Sequence, residues 1–353
     1  MNMKHVGRVA ALCGLLFAIW LVWRDNPATI VDLMRKAGVG LVIAALVHVL
    51  PMLANAWDWR LLIRRAQRPT FAFMLKLVWI RESVNGLLPV ARIGGELVSF
   101  RLLGREGVRP AAIVASLVTD MQLTLISQVI FALLAIAYLL AQASSMGARV
   151  AAHFALGIAL FTPILLLFAL VQHARPFERA ANLVNRVTGG KVYGLIGNSR
   201  RIDDSIKSVW RQTSVVMQYL VIWQTLQCLG LALEIWVALH ALGVDATFAE
   251  AFVFEALIQL ASSIAFLVPG SLGVQEGGFV LIGSVLGIDA PTCLALAGAR
   301  RVRDLLFYLP GLVAWQIAEN ATPAPEPAIA ACTSDHANGA PASEAAPNRL
   351  DSR

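Results

Sequence analysis

The sequence predicts an all-α membrane protein, a polytopic helix bundle with about six full spans and two re-entrant broken segments. Three observations predict this fold class. Of the 353 residues, 58% are hydrophobic and only 14% are charged, and the mean hydropathy is +0.68. Several apolar runs reach about 20 residues, the length that crosses a bilayer core. Two further apolar segments are each interrupted by a proline and several glycines, which favours a turn inside the membrane.

The first apolar run, residues 6–23, is interpreted as a retained membrane span. It follows Lys4 and Arg8, as the hydrophobic part of a signal peptide would, but it has no small-residue cleavage site and ends in Trp20 and Trp23. Several of the later runs are too short or too polar to be ordinary spans. They lie at residues 39–57, 71–88, 111–140, 152–171, 215–242, 251–267, 277–286 and 291–317.

The distribution of basic residues predicts which connections face the cytoplasm. Arginines flank the first broken segment on both sides, at Arg60, Arg64, Arg65, Arg68, Arg101, Arg105 and Arg109. The connection at residues 174–214 holds eight basic residues, whereas those at 142–151, 241–250 and 288–292 hold only Arg149 between them. By the positive-inside rule, the Arg-rich connections and both termini are cytoplasmic and the other three connections are external.

This threading makes the two broken segments dip into the membrane from opposite faces. Residues 71–92 enter from the cytoplasm and residues 251–286 from outside. One loop does not follow the positive-inside rule in this topology: the first external loop would hold the basic residues Arg24, Arg35 and Lys36. If residues 71–92 form a full span instead of a dip, the orientation of every later segment reverses.

The two breaks are also similar in sequence. Pro89 is followed seven residues later by Glu96, and Pro269 is followed seven residues later by Glu276. Aligning the prolines superposes two further identical residues, Ser83 on Ser263 and Leu87 on Leu267. Matched interruptions in the two halves of a chain are typical of an inverted repeat around a central binding site. The alternative is two unrelated loops that share common membrane residues.

Polar groups at membrane depth are the candidates for a binding site, because a charge there is costly and marks a pathway or an ion pair. The predicted substrate-binding residues are Asn85, Arg92, Glu96, Gln275, Glu276, Arg300, Arg301, Arg303 and Asp304. The predicted structural breaks are Pro89, Gly94, Gly95, Pro269, Gly270, Gly273 and Gly277. For Asp120 and Glu234, a structural hydrogen bond or an interhelical ion pair fits at least as well as substrate contact.

Spacing suggests how the charged residues are used. Arg300 and Asp304 are four residues apart and can pair along one helix face, which leaves Arg301 and Arg303 for external partners. A helix beginning near Glu276 or Gly277 would point its positive end into a cavity between the two breaks, where it could bind anionic headgroup oxygens together with an arginine.

Other classes of site are not indicated. The four cysteines, Cys13, Cys228, Cys293 and Cys332, show neither CxxC spacing nor clustering with histidine, so neither a disulfide nor a metal site is predicted. The breaks lack the lysine, the Ser/Thr and the spacing of a P-loop. No cofactor and no nucleic-acid partner are expected. After a membrane domain of residues 1–318, the Ala/Pro-rich residues 319–353 are expected to be a disordered tail.

Three motifs resemble a known family. They are WIRESVNGLLPVARIGGELVSFRLL at residues 79–103, VPGSLGVQEGGFVLIG at 268–283 and ARRVRDLLFYLPGLVAWQ at 299–316. With nearly all of residues 1–318, they resemble the lysylphosphatidylglycerol synthase transmembrane family, also called flippase-like, and within it the hopanoid-biosynthesis-associated membrane proteins. The resemblance implies a multi-pass protein of a Gram-negative inner membrane that handles lipids. Its expected partners are membrane lipids, either hopanoids or anionic phospholipids, and hopanoid-biosynthesis enzymes.

The resemblance leaves three functions open. The leading hypothesis is that the protein translocates or presents a lipid, such as a hopanoid or its precursor. A membrane scaffold for lipid-biosynthesis enzymes is one alternative, and a membrane-embedded transferase with Glu96, Asp120 or Glu276 as base is the other. Synthase activity is not expected, because only the short tail follows where family synthases carry a soluble aminoacyl-transferase domain. The lipid, the direction of movement, the coupling ion and the oligomeric state are not predicted.

Overall fold

Helices alone build the described part of the chain, which confirms the all-α prediction. The computed structural model describes residue 23 and residues 27–88, 94–142, 193–264, 271 and 273–320. The helices are α1 (Pro27–Val47), α2 (Val49–Leu62), α3 (Phe71–Leu87), α4 (Gly94–Arg105), α5 (Pro110–Ala141), α6 (Tyr193–Trp210), α7 (Thr213–Met217), α8 (Thr225–Ala241), α9 (Phe248–Ile264), α10 (Val274–Leu286) and α11 (Ala290–Asn320). A 3₁₀ turn (Arg65–Gln67) precedes α3, and a π-helical segment (Gln218–Gln224) joins α7 to α8.

Three helical runs within the described ranges are long and apolar enough to cross a membrane. They are Ala28–Leu62, Pro110–Ala141 and Thr213–Ala241. These runs contain the predicted runs 39–57 and 111–140 and nearly all of 215–242. The predicted run 152–171, and run 6–23 apart from Trp23, lie outside the described residues. The membrane-helix character is therefore confirmed, while six spans and the inverted repeat stay predictions.

The region before the second apolar run differs from the expectation. Arg35 and Lys36 lie in α1, where the threading predicts a loop. Two residues later the chain bends at Gly38, whose φ of 40° lies in the left-handed region that favours glycine. Helical residues on both sides of a kink at Gly38 thus stand where the loop was expected, because one glycine with non-helical φ and ψ is enough to redirect the chain.

The second broken segment forms two helices that pack against each other, α9 and α10. In the first, the described part of residues 71–92 forms α3 alone, and the helix that packs against it, α4, begins beyond the predicted segment at Gly94. Helix α3 is capped by Thr70, whose Oγ1 accepts the N–H of Phe73 at 3.3 Å. Helix α9 is preceded by a capping box in which Thr247 and Glu250 exchange side-chain and backbone hydrogen bonds. Helix α10 ends at Gly287, which has a φ of 76°. Three of the helices beside the breaks are therefore capped at the ends that lie away from the breaks.

Helices α5, α8 and α9 form the centre of the larger of two units, which ends at Ala314. Most of the other unit, including residues 321–353 of the predicted tail, lies outside the described residues. Helix α8 packs against α1, α2 and α9, and α5 packs against α6 and α9. Small residues allow these approaches. A Cβ at Gly40 would lie 2.5 Å from Ala241 Cβ, and one at Gly230 would lie 3.0 Å from Pro51 Cδ.

Large apolar side chains also cover the outside of the helices. More than half of the surface of each of Val39, Leu46, Leu134, Leu309 and Val313 is exposed. Helices that are apolar on both their inner and outer faces are typical of a bundle that meets lipid rather than water. The outer surface therefore agrees with the predicted membrane environment.

The π-helical segment aligns two polar side chains that lie five residues apart. Gln224 Nε2 donates to Tyr219 Oη at 3.3 Å, and both side chains are buried. An i to i+5 repeat places such residues on the same face, which the ordinary α-helical repeat does not. The segment therefore turns both residues inward, toward α5 and α2.

Candidate functional site

The first break brings Asn85 and Glu96 together. Asn85 Nδ2 donates to Glu96 Oε1 at 3.4 Å, and Asn85 Oδ1 accepts the N–H of Gly95 at 2.8 Å. The side chain at the end of α3 therefore satisfies a backbone donor in the first turn of α4. A Cβ at Gly95 would lie 2.5 Å from the backbone oxygen of Arg81, which explains why glycine is needed there. Helix α4 begins at Gly94.

The second break is closed by a similar exchange. Glu276 Oε2 accepts the N–H of Gly273, which has a φ of 78°, at 2.7 Å. The Gly273 oxygen in turn accepts the N–H of Gly277 at 3.0 Å. Gln275 Nε2 donates to Ser262 Oγ of α9 at 3.2 Å. In both breaks a polar side chain close to the turn therefore replaces a missing backbone partner. The predicted residues Pro89, Arg92, Pro269 and Gly270 lie outside the described residues.

Glu276 also joins the second break to α11. Its Oε1 accepts Arg301 Nε at 2.9 Å and lies 2.8 Å from Arg301 Nη2. Because Oε2 holds the backbone of Gly273, one carboxylate links the turn and the arginine. Arg301 Nη1 lies 3.9 Å from Asp304 Oδ2. The arginine is thus shared between the break and its own helix.

Arg300 has a different partner from the one expected. It does not pair with Asp304 four residues later, but donates through both terminal nitrogens to Glu255 of α9, at 3.1 and 3.3 Å. The Arg300 and Glu255 side chains are 10% and 1% exposed. Arg300 faces α9, and Asp304 Oδ1 already accepts hydrogen bonds from the neighbouring Arg303. A bidentate pair between helices therefore replaces the expected pair along one helix.

Arg303 is also buried in this region. Its Nη1 donates to Glu234 Oε1 of α8, and the other oxygen of Glu234 lies 3.0 Å from His48 Nδ1. His48 lies in the bend between α1 and α2 and its ring packs edge-on against Phe307. Arg303 also holds Asp304. The sequence left open whether Glu234 has a structural role or contacts the substrate. In the structure it bonds Arg303 of α11 and His48 in the bend between α1 and α2.

These contacts form one cluster, which we call the α11 charge network. It consists of His48, Glu234, Glu255, Glu276, Arg300, Arg301, Arg303 and Asp304. Four carboxylates meet three guanidinium groups and one imidazole, so the charges nearly balance. Every predicted α11 arginine therefore already bonds a carboxylate. An anionic ligand would have to exchange with one of these carboxylates.

Helix α11 also contacts the first break. Trp79 Nε1 donates to the backbone oxygen of Phe307 at 2.7 Å, and a Cβ at Gly86 would lie 2.5 Å from the Tyr308 ring. Tyr308 follows Arg301 by seven residues, which is two helical turns and about 10 Å along one face. Both breaks therefore border the same face of α11. Among the described residues no hydrogen bond or ion pair joins Asn85 or Glu96 directly to the second break.

A second buried cluster, the Arg81 network, contains residues that the sequence did not place in the site. Arg81 donates to Asp120 Oδ2 at 2.8 Å and to Asn55 Oδ1 at 3.0 Å, and its guanidinium lies 4.3 Å from the centre of the Trp59 ring. Tyr219 Oη donates to Asp120 Oδ1 at 2.8 Å. In the sequence, the only sign of this cluster was the presence of polar residues inside apolar runs. Such a pattern does not reveal that α2, α3, α5 and the π-helical segment meet at one point.

Two small clefts lie beside the charged clusters. One lies between α1, α8 and α11 and is lined by Glu234, Arg300 and Arg303 among apolar residues. The other lies between α5, α8 and α9. We call it the amide cleft, because its lining includes Ser127, Gln128, Gln224, Gln227, Glu255 and Gln259. Sequence reasoning missed the amide cleft, although glutamines inside apolar spans were its signal.

The described residues contain no group of three or more His, Cys, Asp or Glu side chains arranged to hold a metal ion. Cys228 and Cys293 are buried free thiols. The described polar groups therefore form ion pairs and hydrogen bonds between helices, an arrangement that suits binding rather than metal chemistry at the described residues.

Comparison with known proteins identifies the family. The family model for the lysylphosphatidylglycerol synthase TM region matches residues 9–311. Comparison with curated proteins gave no match, and neither did comparison with solved structures. The family match covers most of the chain, including both breaks and the α11 arginines. The chain therefore belongs to the lysylphosphatidylglycerol synthase transmembrane-region family and is a membrane protein.

Proposed function

We propose that this chain translocates a lipid between the leaflets of the bacterial inner membrane, or presents it at one face, without a chemical step. The observation that carries the proposal is the double role of Glu276. One carboxylate oxygen holds the backbone of Gly273 at the second break, and the other holds Arg301 of α11. A group that ties a helix break to a charged helix can couple ligand binding to movement of that break.

The cost of buried charge supports a functional role for this region. Ionisable groups at membrane depth are rare and usually mark a substrate pathway or a paired site. The α11 charge network places four carboxylates and three arginines next to one break, and α11 reaches the other break through Tyr308. A headgroup that competes for Arg301 would release Glu276, and with it the turn at Gly273. This exchange is the proposed step that opens a path for the lipid.

The resemblance of the three motifs favours a hopanoid or a hopanoid precursor as the lipid. Anionic phospholipid is the alternative, because the N-terminus of α10 together with Arg301 suits headgroup oxygens. Both termini are proposed to be cytoplasmic, on the basis of the loop charges. Asn85, Glu96, Gln275 and Arg92 are proposed to complete the binding site from the two breaks.

Reconstitution tests the proposal. The purified chain is inserted into liposomes that contain a trace of fluorescent lipid, and an impermeant reagent bleaches the outer leaflet. A translocase makes the inner-leaflet fluorescence accessible, whereas a scaffold leaves it protected as in protein-free vesicles. Mass spectrometry of lipids that remain bound after mild purification then identifies the lipid. A bound hopanoid supports the narrower proposal, and bound phospholipid without hopanoid contradicts it.

A further inference from the structure

The amide cleft contains hydrogen-bonding capacity that the described protein groups do not use. Gln128 Oε1 accepts Ser263 Oγ at 2.7 Å and Gln227 Oε1 accepts Gln224 Nε2 at 3.0 Å. Among the described residues, the amide NH₂ groups of Gln128 and Gln227 have no acceptor, and the Gln259 amide has no partner at all. Each amide NH₂ group can donate two hydrogen bonds. Several donors therefore face the cleft from three helices.

The helices that carry these amides make the arrangement a built site rather than scattered polarity. Gln128 on α5 and Gln227 on α8 lie near the middle of the two apolar runs Pro110–Ala141 and Thr213–Ala241. On the inner wall, Gln224 Oε1 accepts a hydrogen bond from Ser127 Oγ at 2.6 Å, and Gln224 Nε2 donates to Asp58 Oδ2 at 2.8 Å. Polar groups at this depth, away from water, need an acceptor to offset their desolvation. The cleft is thus prepared for a hydrogen-bonding ligand.

The charge of the cleft restricts that ligand to neutral groups. Among the described residues that line it, Glu255 alone is ionisable apart from the Cys228 thiol, and both Glu255 oxygens are occupied by Arg300. Arg300 itself lines the other cleft. Because no cation faces the amide cleft, a phosphate would enter it without a counter-charge. Phe131 and Leu231 offer apolar surface beside the amides.

We propose that the amide cleft binds the neutral, hydroxyl-bearing headgroup of a lipid, such as a sugar or polyol. The inference rests on the proposed lipid-handling function and names the chemical class of its substrate. Hydroxyl oxygens accept hydrogen bonds from the amides of Gln128, Gln227 and Gln259, and the hydroxyl protons bond the Gln259 oxygen. The α11 charge network borders this cleft through Glu255, whose two carboxylate oxygens are both held by Arg300.

The test compares two fluorescent lipids with identical acyl chains, glucosyl diacylglycerol and phosphatidylglycerol, in titrations of the full-length protein in detergent. We expect the wild-type protein to bind the glucosyl lipid at least about tenfold more tightly, a difference that several amide hydrogen bonds supply. Gln128→Leu, Gln227→Leu and Gln259→Leu should each weaken this binding about three- to tenfold. The matched control, Gln218→Leu, alters an exposed glutamine outside the cleft and should bind as the wild type does.

The outcomes separate this inference from the proposed function. Equal or tighter binding of phosphatidylglycerol by the wild-type protein overturns the neutral cleft, and this comparison needs no variant to fold. Unchanged glucosyl-lipid binding by both Gln128→Leu and Gln259→Leu overturns it as well. If the wild-type protein binds the glucosyl lipid selectively but moves no lipid in liposomes, the result supports headgroup binding by the cleft and contradicts the proposed translocation. If it moves lipid but shows no headgroup preference, the result supports translocation and contradicts the proposed ligand of the cleft.

Discussion

At the scale of single residues, the buried ions are held in pairs whose partners come from different helices. Arg81 Nη1 lies 2.8 Å from Asp120 Oδ2, and the two side chains are 10% and 7% exposed. Removing one member of such a pair leaves the other charge buried without compensation, which is more damaging than removing both. Substitutions of Arg81 and Asp120 are therefore expected to change stability first and transport only indirectly.

Asp120→Asn should lower the stability of the protein by about 3 kcal/mol, because Arg81 then remains buried without a carboxylate. The expected results are a lower melting temperature in detergent and lower abundance in the membrane. The double variant Arg81→Leu/Asp120→Leu should be more stable than Asp120→Asn. The control is Asp245→Asn, which removes a fully exposed partner of His240 and should change little. Normal stability of Asp120→Asn would show that the pair is not formed.

Residue pairing is also where sequence reasoning was least successful. The spacing of Arg300 and Asp304 allowed a pair along the helix, yet Arg300 bonds Glu255, far away in the sequence. Spacing fixes which residues share a face of one helix, but not how that helix is rotated against its neighbours. The same limit hid the amide cleft, whose glutamines come from α5, α8 and α9.

At the scale of elements, glycines determine how closely the helices approach. The contact of α3 with α11 depends on Gly311, where an added Cβ would overlap Ser83 Oγ and lie 3.0 Å from Trp79 Nε1. Ser83 Oγ is held by the Trp79 backbone oxygen at 2.7 Å, so it cannot move aside without losing that bond. The first break and α11 therefore meet through a surface that tolerates no extra atom.

Gly311→Ala should destabilise the protein by about 1–3 kcal/mol, because the added methyl group overpacks this contact. Adding Ser83→Gly should restore part of the loss by removing the overlapping atoms. Gly104→Ala in α4 is the matched control, since the nearest atom to its Cβ would be Ile113 Cδ1 at 4.0 Å. Melting temperatures of the three variants measure the effect. Equal stability of Gly311→Ala and Gly104→Ala would contradict the contact.

Elements were more predictable than residue contacts, because proline and glycine act locally. The run ending before Pro89 stops as a helix at Leu87, and the glycine-rich stretch before Glu276 precedes a helix at Val274. The bend at Gly38 was not predicted, since an isolated glycine inside a helix is usually tolerated. The packing partners of each helix depend on contacts across the bundle and could not be read from local patterns.

At the scale of the whole molecule, topology is the main prediction. The connections at residues 58–70, 97–110 and 174–214 should be cytoplasmic, and those at 142–151 and 241–250 external, because of their basic residues. In a cysteine-free background, Arg105→Cys should resist an impermeant thiol reagent added to intact cells. Asp245→Cys, in an exposed connection, should react. Reaction of Arg105→Cys from outside would make the first break part of a full span and remove the support for inverted repeats.

Lipid movement by variants of the charged site tests the proposed mechanism most directly. In proteoliposomes of equal protein density, the wild-type protein should move fluorescent lipid faster than protein-free vesicles do. Glu276→Gln should fall to the protein-free rate, because headgroup binding at Arg301 can no longer exchange with a carboxylate that holds the turn. Its abundance should stay normal, because the side-chain volume is kept and Asp304 remains beside Arg301. Glu96→Gln and Arg301→Ala should behave similarly. Transport by Glu276→Gln at the wild-type rate, with normal abundance, would contradict the mechanism.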